Sequence, residues 1–358
     1  MRRSINRVGD ETTVNRNRLR WIIGIVASTI AVLILGLLVL LRTTLAAHPV
    51  PPICLSVGRT DTVCYRTAQV LDRHKPTALT VSQSGSILAV GSDTTIKLWD
   101  LETKRKIQDL DGHQDLISAI AISPNNQILA SSSLDNTIRL WNLTTGRLMA
   151  TISDQRASTL AFSPNSQVLA SGSRMRHWPD GENSPIGVQF WAVATRQRLY
   201  SLGDEAIRAI AFSPEGRFLA AGGTKTVIWQ LQDGDPLYTL NSGELTGLSF
   251  SQDGQSLLTG SSKIKQWDLT TGELVRSYDA GALDIAISPD GQALAMTTGG
   301  TVQLWELPTE QIIGALRGSL YSGLFVEFAL GGTAIVTGST DGIRLWQGER
   351  STQDELSH

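Results

Sequence analysis

The sequence predicts an all-β domain built from seven copies of one strand-rich unit, preceded by a single transmembrane helix. Three observations carry this reading. A tryptophan recurs at 99, 141, 191, 229, 267, 305 and 346, at spacings of 42, 50, 38, 38, 38 and 41 residues. Ahead of each stands a polar turn tetrapeptide flanked by strand-forming runs. Residues 21–41, "WIIGIVASTIAVLILGLLVLL", contain no charge.

The first twenty residues form a basic tail with Arg2, Arg3, Arg7, Arg16, Arg18 and Arg20, whereas only Arg42 and Arg59 lie between the apolar run and Cys64. Twenty-one residues of helix, at about 1.5 Å each, match a hydrocarbon core of roughly 30 Å. The positive-inside rule predicts a cytoplasmic N-terminus and an extracytoplasmic remainder, in a periplasm or equivalent lumen. The run is longer than the roughly 7–15 residues of a signal-peptide core, which favours an uncleaved signal anchor. The alternatives are cleavage, for which Thr44 and Ala46 supply a weak small-x-small arrangement, and a helix that stays within a protein complex.

Residues 42–64 read as an extracytoplasmic linker. It holds the only two cysteines, Cys54 and Cys64, which outside the cytoplasm are expected to form a disulfide; two reduced, inert thiols are the alternative. No metal or other cofactor is expected.

From residue 65 one pattern repeats. Its turns read "SQSG" (82–85), "SPNN" (123–126), "SPNS" (163–166), "SPEG" (213–216), "SQDG" (251–254), "SPDG" (288–291) and "ALGG" (329–332). Proline presets the first central dihedral, and Gly or Asn accepts the left-handed conformation that closes the turn, so each tetrapeptide reads as a hairpin connection. An apolar run such as "ILASSS" follows, then a further strand ending in the tryptophan.

"GSDTTIKLWD" (91–100), "SSLDNTIRLWN" (132–142) and "SSKIKQWDL" (261–269) resemble WD40 repeats. The resemblance spans residues 65–348 and implies a seven-bladed β-propeller, here in a membrane-anchored, bacterial-type member. Each blade would be a four-stranded antiparallel sheet around a central channel, with its tryptophan closing the third strand. It also implies a buried His, Ser/Thr, Asp and Trp set in each blade. Only the second repeat supplies all four, as His113, Ser131, Asp135 and Trp141; the first has His74, Asp93 and Trp99 but Val90 at the hydroxyl position. The set reads as structural rather than catalytic.

"YRTAQVLDRH" (65–74) aligns without a gap on "KRKIQDLDGH" (104–113), yet no repeat precedes it. After Trp346 only "QGERSTQDELSH" remains, without the alternation of a fourth strand. Residues 65–71 are therefore expected to close blade 7, as the resemblance implies, and residues 349–358 to form a disordered tail.

The third unit carries an insertion, "RMRHWPDGENSPIG" (174–187), where the others have a short turn. The resemblance puts such turns on the top face, which commonly binds partners. Arg174, Arg176, His177, Trp178, Asp180 and Glu182 are the candidate partner-binding residues, with Arg and Trp the types enriched at hot spots. Packing of Trp178 against a neighbouring blade is the alternative.

Catalytic signals are sparse. The five histidines are His48, His74, His113, His177 and His358, and no HExxH, CxxC, GxSxG or P-loop occurs. The sequon "NLT" (142–144) follows a repeat tryptophan in the ordinary way. Seven Arg but only Asp10 and Glu11 fall in residues 1–42, out of 31 basic and 33 acidic side chains, so the rest of the chain is acidic. That balance argues against nucleic acid as a partner. The expectation is a membrane-tethered, non-catalytic scaffold that presents the propeller to a protein partner. A propeller enzyme or small-ligand binder using the central channel is the alternative, distinguished by inner-strand carboxylates meeting with raised pKa values.

Overall fold

The computed structural model describes residues 53–57, 61–153, 156–174, 187–309, 311–316 and 323–352. The chain divides into two units, and all described residues belong to the second, Pro52–His358. The basic tail 1–20 and the membrane helix expected at 21–41 lie outside the described residues. Among the described residues no helix is long and apolar enough to cross a membrane.

Strands alternate with hairpins from Ala78 onward and assemble into seven antiparallel sheets. Blade 1 comprises Ala78–Val81, Ile87–Ser92, Thr95–Asp100 and Arg105–Leu110, here lettered a to d from the inside outward. Blades 2 to 6 repeat that order. Each a strand contacts the a strand of the next blade, and that of blade 7 contacts that of blade 1. The result is a closed seven-bladed β-propeller.

The turn chemistry explains the hairpins locally. The last turn residue has positive φ in all seven blades: Gly85, Asn126, Ser166, Gly216, Gly254, Gly291 and Gly332. Ser166 is the exception to the expected Gly or Asn, and its hydroxyl accepts a bond from the Asn125 backbone N–H of the neighbouring blade. The serine that opens each turn has a role of its own. Its Oγ accepts the backbone N–H five residues on, as in Ile87 to Ser82, Ile128 to Ser123 and Ala293 to Ser288 at 2.8–3.0 Å. Such a bond satisfies a donor that the tight turn leaves without a ladder partner. Blade 7 has Ala329 at this position and uses a 3-10 turn, Leu330–Gly332, instead.

The core is seven apolar clusters, one at each seam between blades. Trp141 packs with Ala89, Leu98 and Leu110 of blade 1, Trp191 with Leu140 of blade 2, and Trp346 with Leu304 of blade 6. Each recurring tryptophan thus fills the seam with the preceding blade, which is why the position demands the largest side chain. Trp99 does the same for the closing seam, beside Val336 and Leu345 of blade 7.

Blade 7 joins the two ends of the domain. Its sheet holds Gly323–Ala329, Ala334–Ser339, Gly342–Thr352 and the N-terminal strand Asp61–Asp72, with Ile53–Val57 outermost. Ala68 pairs with Trp346 and Val63 with Arg350. The closing strand therefore runs past residues 65–71 at both ends. Residues 349–352, expected in the polar tail, are paired with it. Part of the linker is also strand: Ile53–Val57 pairs with the closing strand, and Cys54 faces Cys64 in register and is bonded to it. Glycine is required at 348, because a Cβ there would overlap Val63.

Candidate functional site

One end of the ring carries a funnel-shaped cavity of about 380 Å³. Its wall is made where the chain enters the a strands and where b turns into c. Six blades contribute: Thr77, Leu116 with Ile117, Ser118 and Leu134, Ser158 with Arg174, Arg208, Leu245 with Thr246, and Leu283. Thr77, Ser118, Ser158, Arg208, Thr246 and Leu283 each stand five residues before the turn that ends the a strand, so the repeat itself generates this ring.

Hydroxyls in the ring lace neighbouring blades. Ser118 donates to the carbonyl of Ala157 at 2.6 Å, and Thr246 to that of Ala282 at 2.7 Å. Blade 4 breaks the pattern with Arg208, whose guanidinium pairs with the exposed Glu244. Arg174 lines the cavity from blade 3, its backbone N–H held by Ser158 Oγ at 2.9 Å, and the preceding Ser173 carbonyl accepts from Ile207 N–H across the seam. The two cations occupy the blade 3–4 side, while Leu116 and Leu283, 42% and 48% exposed, present apolar surface elsewhere on the rim. Among the described residues no carboxylate lines the cavity.

Of the six candidates in the insertion, Arg174 is on this wall. Arg176, His177, Trp178, Asp180 and Glu182 lie outside the described residues.

The four residues His113, Ser131, Asp135 and Trp141 form one hydrogen-bonded chain. His113 bonds Asp135 through Nδ1 and Ser131 through Nε2, both at 2.8 Å, and Trp141 Nε1 donates to the same Ser131 Oγ at 2.8 Å. Burial raises the Asp135 carboxyl, but bonds from Thr137, the Gln114 N–H and His113 outweigh it and hold it at about 2. Burial also lowers His113 despite Asp135. The site is closed and fully used internally, which suits a staple and leaves no group for a substrate.

Blade 1 departs from that scheme. His74 bonds Asp72 at 2.6 Å, and Lys97 meets the other oxygen of Asp72 at 2.6 Å. The pairing expected with Asp93 does not form, because Asp93 occupies a left-handed turn position. Trp99 Nε1, facing Val90 instead of a hydroxyl, is buried without a partner. Blades 3, 5 and 7 keep half of the staple: Trp191 donates to Ser171, Trp267 to Thr259 and Trp346 to Thr337.

Two carboxyls that no motif marks lie along the inner strands of blades 6 and 7. Asp284 accepts from its neighbour Ile285 N–H and, across the seam, from Val326 N–H, both at 3.0 Å. Glu327 follows on the a strand of blade 7; the equivalent residue is Thr80, Ala121, Ala161, Ala211, Ser249 or Ala286 in the other blades. Both are partly buried by accessible area, yet protein surrounds them. Desolvation raises Asp284 to about 7 against its two backbone bonds, and desolvation with the charge of Asp284 raises Glu327 to about 8. Among the described residues, no three His, Cys, Asp or Glu side chains are grouped to hold a metal.

The family profile described as "WD domain, G-beta repeat" matches residues 65–100, 104–142, 196–229 and 234–268. The chain carries WD40 repeats. Each matched stretch covers the d strand of one blade and the a, b and c strands of the next, so every WD40 repeat spans a seam. Among relatives, "Eukaryotic translation initiation factor 3 subunit I" of Neurospora crassa is 40% identical over 76 residues, 21% of this chain and 22% of the relative. "Guanine nucleotide-binding protein subunit beta" of Schizosaccharomyces pombe is 36% identical over 61 residues, 17% and 20% of the two chains. An uncharacterized WD repeat-containing protein of Synechocystis sp. is 32% identical over 82 residues, 23% and 24%. The chain spans under a quarter of the length of each of these curated relatives.

Proposed function

We propose that the protein is a membrane-tethered, non-catalytic scaffold whose WD40 propeller captures a protein partner on the extracytoplasmic side. The observation that carries the reading is the funnel, an open, chemically mixed surface to which six blades contribute. Two of the relatives with WD40 repeats are named as subunits of larger assemblies. Tethering follows from the apolar run 21–41 and its flanking arginines. The disulfide between Cys54 and Cys64 accords with an oxidising compartment.

A second reading has one observation in its favour. Asp284 and Glu327 are inner-strand carboxyls with raised pKa values, a property common in ligand-binding and catalytic channels. It is the weaker reading because Asp284 already serves two backbone donors.

Crosslinking in intact membranes, followed by identification of the attached molecules, separates the two. The scaffold reading expects a discrete protein adduct. Absence of any protein adduct, together with a small ligand that raises the melting midpoint, would replace it with the ligand-binding reading.

A further inference from the structure

The chemistry of the funnel defines what it can hold. Its two cations, Arg174 and Arg208, each follow directly on a residue of the Ile207 N–H to Ser173 carbonyl bond that joins blades 3 and 4, and Leu116, Leu134 and Leu283 share the remainder with the hydroxyls of Thr77, Ser118, Ser158 and Thr246. Arg174 makes no ion pair among the described residues. Arg208 already carries a carboxylate, that of Glu244, and both partners of this pair are exposed, 42% and 66% by side chain. An exposed pair of this kind is weak and exchangeable. A guanidinium fork offers two parallel donors to an incoming carboxylate, and a second fork beside it adds to the attraction. The leucines cannot be satisfied by a small inorganic anion; they need an apolar body on either side of the charge.

We propose that the funnel binds an acidic residue of a protein partner, flanked by apolar side chains, with its carboxylate replacing Glu244 on Arg208 and its neighbours resting on Leu116, Leu134 and Leu283. Arg174 supplies the second fork. The assignment rests on the scaffold reading and adds the chemistry of the captured segment. Glu244 acts as a built-in competitor, which keeps Arg208 paired when no partner is present. Affinity is then set by how much better the incoming segment fits than the resident side chain.

The test uses the purified full chain and two fluorescein-labelled peptides, Ala-Leu-Glu-Leu-Ala and Ala-Leu-Gln-Leu-Ala, followed by fluorescence anisotropy. The Glu peptide is expected to bind about tenfold more tightly than the Gln peptide. Arg208→Ala and Arg174→Ala should each remove most of that preference with an unchanged melting midpoint, and Arg208→Lys should keep part of it. Glu244→Gln should tighten the Glu peptide several-fold, an effect that a merely structural salt bridge would not produce. Equal binding of the two peptides, no binding of either at millimolar concentration, or weakened binding in Glu244→Gln would overturn the proposal. If a protein still crosslinks in intact membranes while the peptides are not distinguished, this inference falls and the scaffold reading stands. Peptide discrimination without any protein adduct would leave the funnel chemistry and remove the scaffold.

Discussion

Tyr65, at the start of the domain, donates its hydroxyl to the backbone carbonyl of Gly332, 267 residues later in the turn between the a and b strands of blade 7. The ring is bolted at this point. Tyr65 is 2% exposed and packs in the same cluster as Trp346 and Val326. Burial, with a smaller contribution from Asp290, raises its phenol above the usual range, so it stays a donor throughout the working pH range. Tyr65→Phe should cost about 1–2 kcal/mol by leaving the Gly332 carbonyl unpaired. Urea denaturation measures this directly, and an unchanged midpoint would show that the bond is dispensable.

The tetrad of blade 2 and its incomplete counterpart in blade 1 give a paired test. Ser131 serves both His113 and Trp141, so Ser131→Ala should cost about 2–3 kcal/mol. In blade 1 the reverse change repairs a defect. Val90→Thr would offer Trp99 Nε1 the acceptor it lacks and should stabilise the domain by roughly 0.5–1 kcal/mol. Loss of stability in Val90→Thr would mean that the seam cannot admit the hydroxyl.

Stability should depend on pH from two directions. Asp284 and Glu327 have folded pKa values of about 7 and 8 against ordinary values of 3.8 and 4.5. Folding therefore takes up protons, and their contribution is complete below about pH 4 and lost as pH rises through 7 and 8. Asp72 and Asp135 are held at about 2 against 3.8, so their contribution is present above about pH 4 and lost as pH falls towards 2. Glu327→Gln should flatten the decline on the alkaline side without altering the acid limb. Parallel curves for the two proteins between pH 5 and 9 would show that Glu327 does not titrate in this range.

The strap at the N-terminal edge makes a further prediction. Cys54–Cys64 pins Ile53–Val57 to the closing strand, and Ile53 packs on the cluster between blades 6 and 7. Breaking the bond with Cys54→Ser and Cys64→Ser together should cost up to about 3 kcal/mol and speed amide exchange at the start of the closing strand. Removal of residues 65–71 should be far worse than truncation after Thr352. Equal damage from the two deletions would contradict closure by the N-terminal strand.

The seven-fold fold was legible because its determinants are local and repeated: turn chemistry and one seam-filling tryptophan per unit. Strand Ile53–Val57 left no such trace, since it is held by backbone pairing and one disulfide rather than by an alternating pattern. The funnel was only partly legible. Arg174 stood out through its insertion, whereas Arg208 fills a position that is Ser or Thr in four other blades. That substitution is visible once the units are superposed. Glu327 could have been found in the same way, as the one acid at a position where the other blades carry Thr, Ala or Ser. The seam-crossing bond of Asp284 could not, because its acceptor role depends on a backbone N–H of another blade.

The central claim is that a protein partner is captured at the funnel. Its most direct test places a photo-crosslinking amino acid at Leu116 on the funnel rim, or at the exposed Gln252 in the turn at the other end of a blade, in the full chain within intact membranes. A discrete protein adduct is expected from position 116 and none from position 252. An adduct from 252 alone, or none from either position, would contradict it.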